Sequence, residues 1–120
     1  MSIRREGEQM YSAFYNSLKN FLYHNSGYNV GGVARWGSRT TGEHEDRSDL
    51  DVIFSIFGDP TKQKVYTDLI DKLKKILNVN ANLGSDRNVI KIWKKGITCD
   101  LVLLSGSDYK EQVRSRRYNE

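Results

Sequence analysis

The chain has 120 residues, of which 38% are hydrophobic and 28% charged, and its formal net charge is +4. This composition excludes a disordered chain, and the length suits a single domain with one core. The single cysteine excludes an intrachain disulfide, and no apolar run approaches the roughly 18 residues of a membrane span. We therefore expect a cytoplasmic protein without a membrane segment.

Helix and strand patterns alternate along the first half of the chain. From Arg4 to about Asn25, apolar residues recur at spacings of three and four, which is typical of an amphipathic helix. Asn29 to Trp36 is predicted to be a short strand, although Gly31-Gly32 weakens it. A polar connection then leads to Leu50 to Phe57, where β-branched and aromatic residues predict a buried strand.

The second half begins with a second helix and ends with a cluster of strands. The apolar spacing from Lys62 to Leu77 predicts the helix, and Thr61 is placed to cap it. The predicted strands are Val79 to Leu83, Asn88 to Lys94 and Ile97 to Leu104, the last two joined as a hairpin at Lys95-Gly96. A C-terminal helix is predicted from Asp108 to Tyr118, with Asp108 as a possible cap.

Two carboxylates stand at the head of the strand that begins at Leu50. Side chains alternate along a strand, so Asp49 and Asp51 share one face while Leu50 and Val52 share the other. Repulsion between two carboxylates held this close raises the pKa of at least one of them unless a cation lies between them. Mg²⁺ is such a cation, and it prefers carboxylate ligands. The plain alternative is that Asp49 caps a turn and Asp51 is a solvated edge residue.

A third carboxylate, Asp100, lies within the apolar run ITCDLVLL. A charge inside such a run is costly to bury without a partner. If this strand is a neighbour of the strand at Leu50, then Asp49, Asp51 and Asp100 can converge. Three convergent carboxylates suit two metal ions about 3.5–4 Å apart, which serve phosphoryl transfer. Alone, Asp100 could equally be a partly exposed strand residue.

A Gly-Ser turn precedes the paired aspartates. Gly37 allows close approach of the backbone to a ligand, and backbone N–H groups together with the Ser38 hydroxyl could hold phosphate oxygens. Arg39 follows directly and is either a triphosphate contact or a solvated side chain. By itself a Gly-Ser pair is only a turn.

Together these motifs resemble the nucleotidyltransferase superfamily that includes DNA polymerase β. The stretch GSRTTGEHEDRSDLDVIF resembles the minimal bacterial and archaeal nucleotidyltransferases and is similar in spacing to the kanamycin-type aminoglycoside enzymes. The stretch NVIKIWKKGITCDLVLL resembles the hairpin that delivers the third carboxylate in poly(A) polymerase, oligoadenylate synthetase and CCA-adding enzymes. The resemblance covers about Val30 to Leu104. It implies an α+β fold with a mixed sheet of about four to five strands and helices on one face.

The resemblance also implies an activity and its residues. Gly37 and Ser38 would hold the β- and γ-phosphates of a nucleoside triphosphate. Asp49 and Asp51 would ligate two Mg²⁺ or Mn²⁺ ions, and Asp100 would ligate the catalytic ion and help to activate the attacking hydroxyl. The enzyme would transfer a nucleotide to an RNA 3′ end, a protein or a small molecule and release pyrophosphate.

The same resemblance leaves other functions open. Minimal members of the superfamily commonly act as antitoxins that bind or AMPylate a helical HEPN toxin, and a noncatalytic scaffold is a third possibility. We expect residues 1–120 to form one nucleotidyltransferase domain without the helical domain of larger relatives, so a second copy or another subunit would complete the cleft. Basic residues near the third aspartate and in the tail are either RNA contacts or, as we favour, a solvated face: Lys91, Lys94, Lys95, Arg114, Arg116 and Arg117.

Overall fold

The computed structural model describes residues 2–36, 49–58, 60–85 and 88–120, with side chains from residue 9 onward. The described chain alternates helices and strands in the order that the sequence predicts, with one short strand added at the end. The elements are α1 (Ser2–His24), β1 (Val30–Trp36), β2 (Leu50–Ile56), α2 (Lys62–Lys72, continued by a π-helical turn Leu73–Leu77), β3 (Asn80–Leu83), β4 (Ile90–Lys94), β5 (Ile97–Leu103), α3 (Gly106–Arg114) and β6 (Tyr118–Asn119).

The strands form one mixed sheet in the order β3-β4-β5-β2-β1-β6. The central pair, β2 and β5, is parallel, and every other described pair is antiparallel. Parallel neighbours need a long crossover, which α2, β3 and β4 supply here. The α+β class with a mixed sheet is confirmed, and the sheet has six strands where the sequence predicts four to five.

The strand that the sequence does not predict is β6, which pairs with the end of β1 through Arg35 and Trp36. The sequence predicts helix as far as Tyr118, but α3 ends at Arg114. Arg116 then has a positive φ of 63°, which turns the chain back toward the sheet. The last residues therefore extend the sheet instead of extending the helix.

The main core lies between one face of the sheet and helices α1 and α2. The apolar stripe that the sequence predicts for α1 consists of Met10, Phe14, Leu18, Phe21 and Leu22, and that for α2 of Val65, Leu69, Leu73, Ile76 and Leu77. Both stripes point into the core, apart from Met10 and Ile76, which are exposed. Alternate residues of β2 and β5 complete the core, which includes Phe14, Leu18, Phe21, Leu22, Leu50, Val52, Phe54, Val65, Leu69, Leu73, Cys99 and Leu101.

The third helix packs on the opposite face of the sheet. Tyr109 of α3 forms a small second cluster with Ala34 and Ile53. A Cβ atom at Gly32 would lie 2.5 Å from the Tyr109 ring, so this helix can approach β1 only because residue 32 is glycine. The expectation of helices on one face therefore describes α1 and α2, whereas α3 covers the apolar residues that alternate to the other side.

Local chemistry explains where several elements begin and end. The cap of α3 is Ser105, whose hydroxyl accepts a hydrogen bond from the Asp108 N–H at 3.2 Å, so the predicted cap at Asp108 is wrong by three residues. Lys95 and Gly96 both have positive φ, which suits the tight hairpin predicted there. No helix in the described part of the chain is both long enough and apolar enough to cross a membrane.

Candidate active site

Asp51 and Asp100 lie side by side at the centre of the sheet. Strands β2 and β5 are parallel neighbours, and these two aspartates are register partners. Flanking residues Leu50, Val52 and Leu101 point into the main core, so both carboxylates project from the opposite face. The structure thus brings together the two strands on which the predicted carboxylate cluster depends.

Asp49 joins the same face immediately before β2. The Thr98 hydroxyl of β5 donates a hydrogen bond to Asp49 Oδ1. Because Thr98 stands two residues before Asp100, both side chains leave β5 on one face. This hydrogen bond ties the start of β2 to β5 and orients the Asp49 carboxylate. The sequence analysis missed the part played by Thr98, and the period of two along β5 was the signal for it.

Lys91 supplies the cation of the cluster. It lies on β4 as the register partner of Asp100. Its Nζ is 2.7 Å from Asp100 Oδ1 and 3.7 Å from Asp49 Oδ2. Contact with Asp100 and, secondarily, with Asp49 raises the pKa of the Lys91 ammonium. Lys91, predicted only as an RNA contact or a solvated residue, therefore bridges the Asp100 carboxylate on β5 and the Asp49 carboxylate just before β2.

The carboxylates are not equivalent electrostatically. Burial, followed by the negative charges of Asp100 and Asp49, raises the pKa of Asp51, while Lys91 opposes that rise. Asp100 Oδ1 is shielded from solvent and accepts no hydrogen bond of standard geometry from the described residues. Its 2.7 Å contact with the Lys91 ammonium is an ion pair. The cluster therefore holds more negative charge than this lysine neutralises.

The donor set suits a divalent cation. Three carboxylates are hard oxygen ligands. Burial and then repulsion from Asp100 and Asp49 raise the pKa of Asp51, and a cation would relieve the repulsion. Within residues 2–36, 49–58, 60–85 and 88–120, however, no group of three or more His, Cys, Asp or Glu side chains is arranged to hold a metal ion. In the structure the carboxylates of Asp49 and Asp100 contact the Lys91 ammonium, although their oxygens are also ligands that suit Mg²⁺.

The predicted phosphate-binding residues Gly37, Ser38 and Arg39 lie outside the described residues, so their role stays a prediction. The connection to which they belong leaves β1 after Trp36 and returns to the sheet at Asp49. Since β1 and β2 are antiparallel neighbours, both ends of the connection meet the sheet at the end of β2 where Asp49 and Asp51 lie.

Aromatic residues lie on β1, β6 and β4, the strands on either side of the β2–β5 pair. Tyr118 of β6 packs edge-on against Trp36 with ring centroids 5.5 Å apart. Burial and then the charges of Asp51 and Asp100 raise the pKa of Tyr118. On the other side Trp93 is the register partner of Thr98 and is 39% exposed. The sequence analysis named neither Tyr118 nor Trp93 as a site residue, since their position depends on strand pairing.

Other basic residues have local roles in the structure. Lys94 Nζ donates a hydrogen bond to the Leu77 carbonyl at 3.1 Å, at the end of the π-helical turn. Arg114 forms an ion pair with Glu111 at 2.7 Å. Whether these basic residues contact RNA or form a solvated face stays a prediction.

Two solved structures resemble this fold. One is the CdnC:HORMA-deltaN complex of E. coli MS115-1, with a TM-score of 0.56 and 18% identity over 84% of this chain. The other is the GLD-2/RNP-8 complex, with a TM-score of 0.56 and 20% identity over 80% of this chain. This chain has the nucleotidyltransferase fold.

The matches define the fold and leave the subtype open. The chain spans 35% and 37% of the two solved chains, about a third of each. No family model matches the sequence, and no curated protein does. The polymerase β-like resemblance inferred from the motifs is therefore confirmed at the level of the fold.

Proposed function

We propose that this protein is a metal-dependent nucleotidyltransferase that moves a nucleotide from a nucleoside triphosphate to a hydroxyl group and releases pyrophosphate. The observation that carries the proposal is the register pair Asp51 and Asp100, with Asp49 beside it, on the face of the sheet opposite the main core in a nucleotidyltransferase fold. A cluster of three carboxylates is costly to hold together for structure alone and is a good cation ligand.

Each proposed residue has a distinct task. Asp49, Asp51 and Asp100 would hold Mg²⁺ or Mn²⁺, which when bound would neutralise charge on the triphosphate. Asp100 would also accept the proton of the attacking hydroxyl. Gly37, Ser38 and Arg39 would bind the β- and γ-phosphates. The contribution of the protein is then mainly to position the reactants and to stabilise developing charge.

A transfer assay tests this proposal directly. The purified chain is incubated with each α-³²P-labelled nucleoside triphosphate, with Mg²⁺ or Mn²⁺, and with RNA, protein or small-molecule acceptors. We expect label transfer and pyrophosphate release with the native chain and neither with Asp51→Asn or Asp100→Asn. Asp71→Asn is the matched control, because Asp71 lies on α2, away from the cluster, and forms an exposed ion pair with Lys75. Transfer that survives both site substitutions would refute the assigned site.

A second candidate is a partner-dependent protein of the antitoxin type, which binds or AMPylates a HEPN-type toxin. The observation that favours it is that the two solved structures named above are complexes with another protein. Co-expression with a small helical protein encoded next to this gene tests it. A stable complex by size-exclusion chromatography, with label on the partner, supports this function. Label on RNA alone, with no complex, contradicts it.

A further inference from the structure

The backbone fixes the direction in which Lys91 points. Its neighbours on β4, Ile90 and Ile92, are fully buried in the main core, so Lys91 must leave the strand on the carboxylate face. Its pairing with Asp100 sets its height along the sheet. Lys91 is therefore a built component of the cluster, unlike a surface lysine that meets an aspartate by chance.

The Lys91 ammonium occupies the space that a bound cation would need. Its distances to Asp100 Oδ1 and Asp49 Oδ2 are 2.7 Å and 3.7 Å. A magnesium ion shared by the same carboxylates would lie about 2.0–2.1 Å from their oxygens. An ammonium and a divalent ion cannot share this position, because they would be in steric contact and of like charge. The absence of a metal-ready group of ligands among the described residues agrees with this arrangement.

From these contacts we propose that Lys91 is an internal counter-ion that competes with the divalent metal for the position between Asp49 and Asp100. The inference rests on the proposed metal-dependent function. The side chain of Lys91 is 45% exposed, and its flexible stem lets the ammonium leave for solvent when a metal enters. Displacement lowers the affinity of the free protein for the metal. A metal that arrives with a triphosphate meets less resistance, since the displaced ammonium gains a phosphate partner.

Mn²⁺ binding to the full chain without nucleotide tests the competition. The electron paramagnetic resonance signal of free Mn²⁺ measures how much ion each variant binds. Removing a like charge within 4–6 Å of the metal should tighten Mn²⁺ binding by about tenfold in Lys91→Gln and Lys91→Met. Lys91→Arg keeps the charge and should stay near the native affinity. Lys95→Gln removes one charge from the adjacent turn and is the matched control.

Thermal unfolding supplies a second measurement that needs no activity. Without metal, Lys91→Met leaves the carboxylates unopposed and should lower the Tm. Saturating Mn²⁺ should then raise the Tm of Lys91→Met more than that of the native chain. A ligand that binds the folded protein more tightly stabilises the folded state more.

The outcomes separate this inference from the function on which it rests. Equal Mn²⁺ affinity in the native chain, Lys91→Gln and Lys95→Gln would overturn the counter-ion role and leave the metal-dependent function standing. No Mn²⁺ binding by any of these proteins would overturn the proposed function together with the inference. Tighter binding in both Lys91→Gln and Lys95→Gln would reduce the effect to net charge and would also overturn the inference.

Discussion

Asp51 and Asp100 are held beside each other by the backbone hydrogen bonds of a parallel strand pair, with no side-chain packing needed to align them. The next residues on either side of each aspartate point into the core and anchor both strands. The backbone positions of the two aspartates are therefore as rigid as the sheet itself. A site of this kind can hold its geometry before any ligand is bound.

We expect these two aspartates to act as one unit in transfer. Asp51→Asn and Asp100→Asn should each reduce kcat/KM by at least about 10²-fold, the scale on which loss of one charge-stabilising group acts. The double variant should lose little more than either single variant, because groups that work together are strongly non-additive. Steady-state transfer rates for the three variants measure this. Effects that multiply would show that the two carboxylates work independently.

Gly32 should be required for the packing of α3. An added Cβ would lie 2.5 Å from the Tyr109 ring, which is buried and cannot move freely. We expect Gly32→Ala to lower the free energy of unfolding by about 1–3 kcal/mol, as overpacking does. Gly106→Ala is the control, since no atom lies within 4 Å of its Cβ position. Urea denaturation of both variants measures the difference, and equal midpoints would contradict the close packing of α3 on β1.

Tyr66 should contribute to stability through its hydroxyl. The hydroxyl donates a hydrogen bond to the Asn88 carbonyl at 2.7 Å and accepts one from the Leu103 N–H at 2.8 Å. Tyr66→Phe leaves the Leu103 N–H without this acceptor, so we expect a loss of about 1–3 kcal/mol in the free energy of unfolding. Tyr23→Phe, at a side chain that is 39% exposed, should change it little. A Tyr66→Phe variant as stable as the native chain would argue against this link between α2 and β5.

Asp68 should make stability depend on pH in the acid range. Its hydrogen bond with Lys72 is the main cause that lowers the pKa of Asp68 below the ordinary value of 3.8. Because the folded-state pKa is lowered, the stabilisation is fully present above the unfolded value. It is lost as pH falls through the folded-state pKa.

Asp68→Asn should therefore lower stability at neutral pH and lose its effect in acid. The pair is partly exposed, so the decrease should be below about 1 kcal/mol. Thermal midpoints at neutral pH and at a series of pH values below 3.8 measure it. Asp71→Asn, in the more exposed pair with Lys75, should show a smaller difference. A constant difference at every pH would mean that the charge of Asp68 is not responsible.

Local patterns in the sequence predict most of the elements, and long-range pairing decides the rest. Helices α1 and α2 follow from apolar spacing, and the β4–β5 hairpin follows from Lys95-Gly96. The alignment of Asp51 with Asp100 could be stated only as a condition, because a strand pattern does not name its neighbour. Lys91 was missed as part of the cluster for the same reason, since its ion pairs exist only in the register of β4 with β5.

The C-terminal part departs furthest from the sequence analysis. Arg116 has a left-handed backbone conformation and turns the chain toward β1. An arginine in the sequence does not predict that conformation, which is uncommon for residues other than glycine. Helix α3 lies on the carboxylate side of the sheet because Tyr109 fits against a glycine on a distant strand. Both outcomes depend on the space available in the folded sheet, which periodicity does not describe.

The parallel pairing of β2 and β5 also affects how the protein folds. The hydrogen bond between Asp49 and Thr98 joins residues that are 49 positions apart, and the crossover between their strands must be closed before it can form. Closing a segment of this length costs chain entropy before the contacts between the two strands can form, so such pairings form slowly. While the β5 segment of a nascent chain is still in the ribosome, Asp49 and Asp51 have no partner strand. The carboxylate cluster is therefore assembled only once the last third of the chain has folded against the sheet.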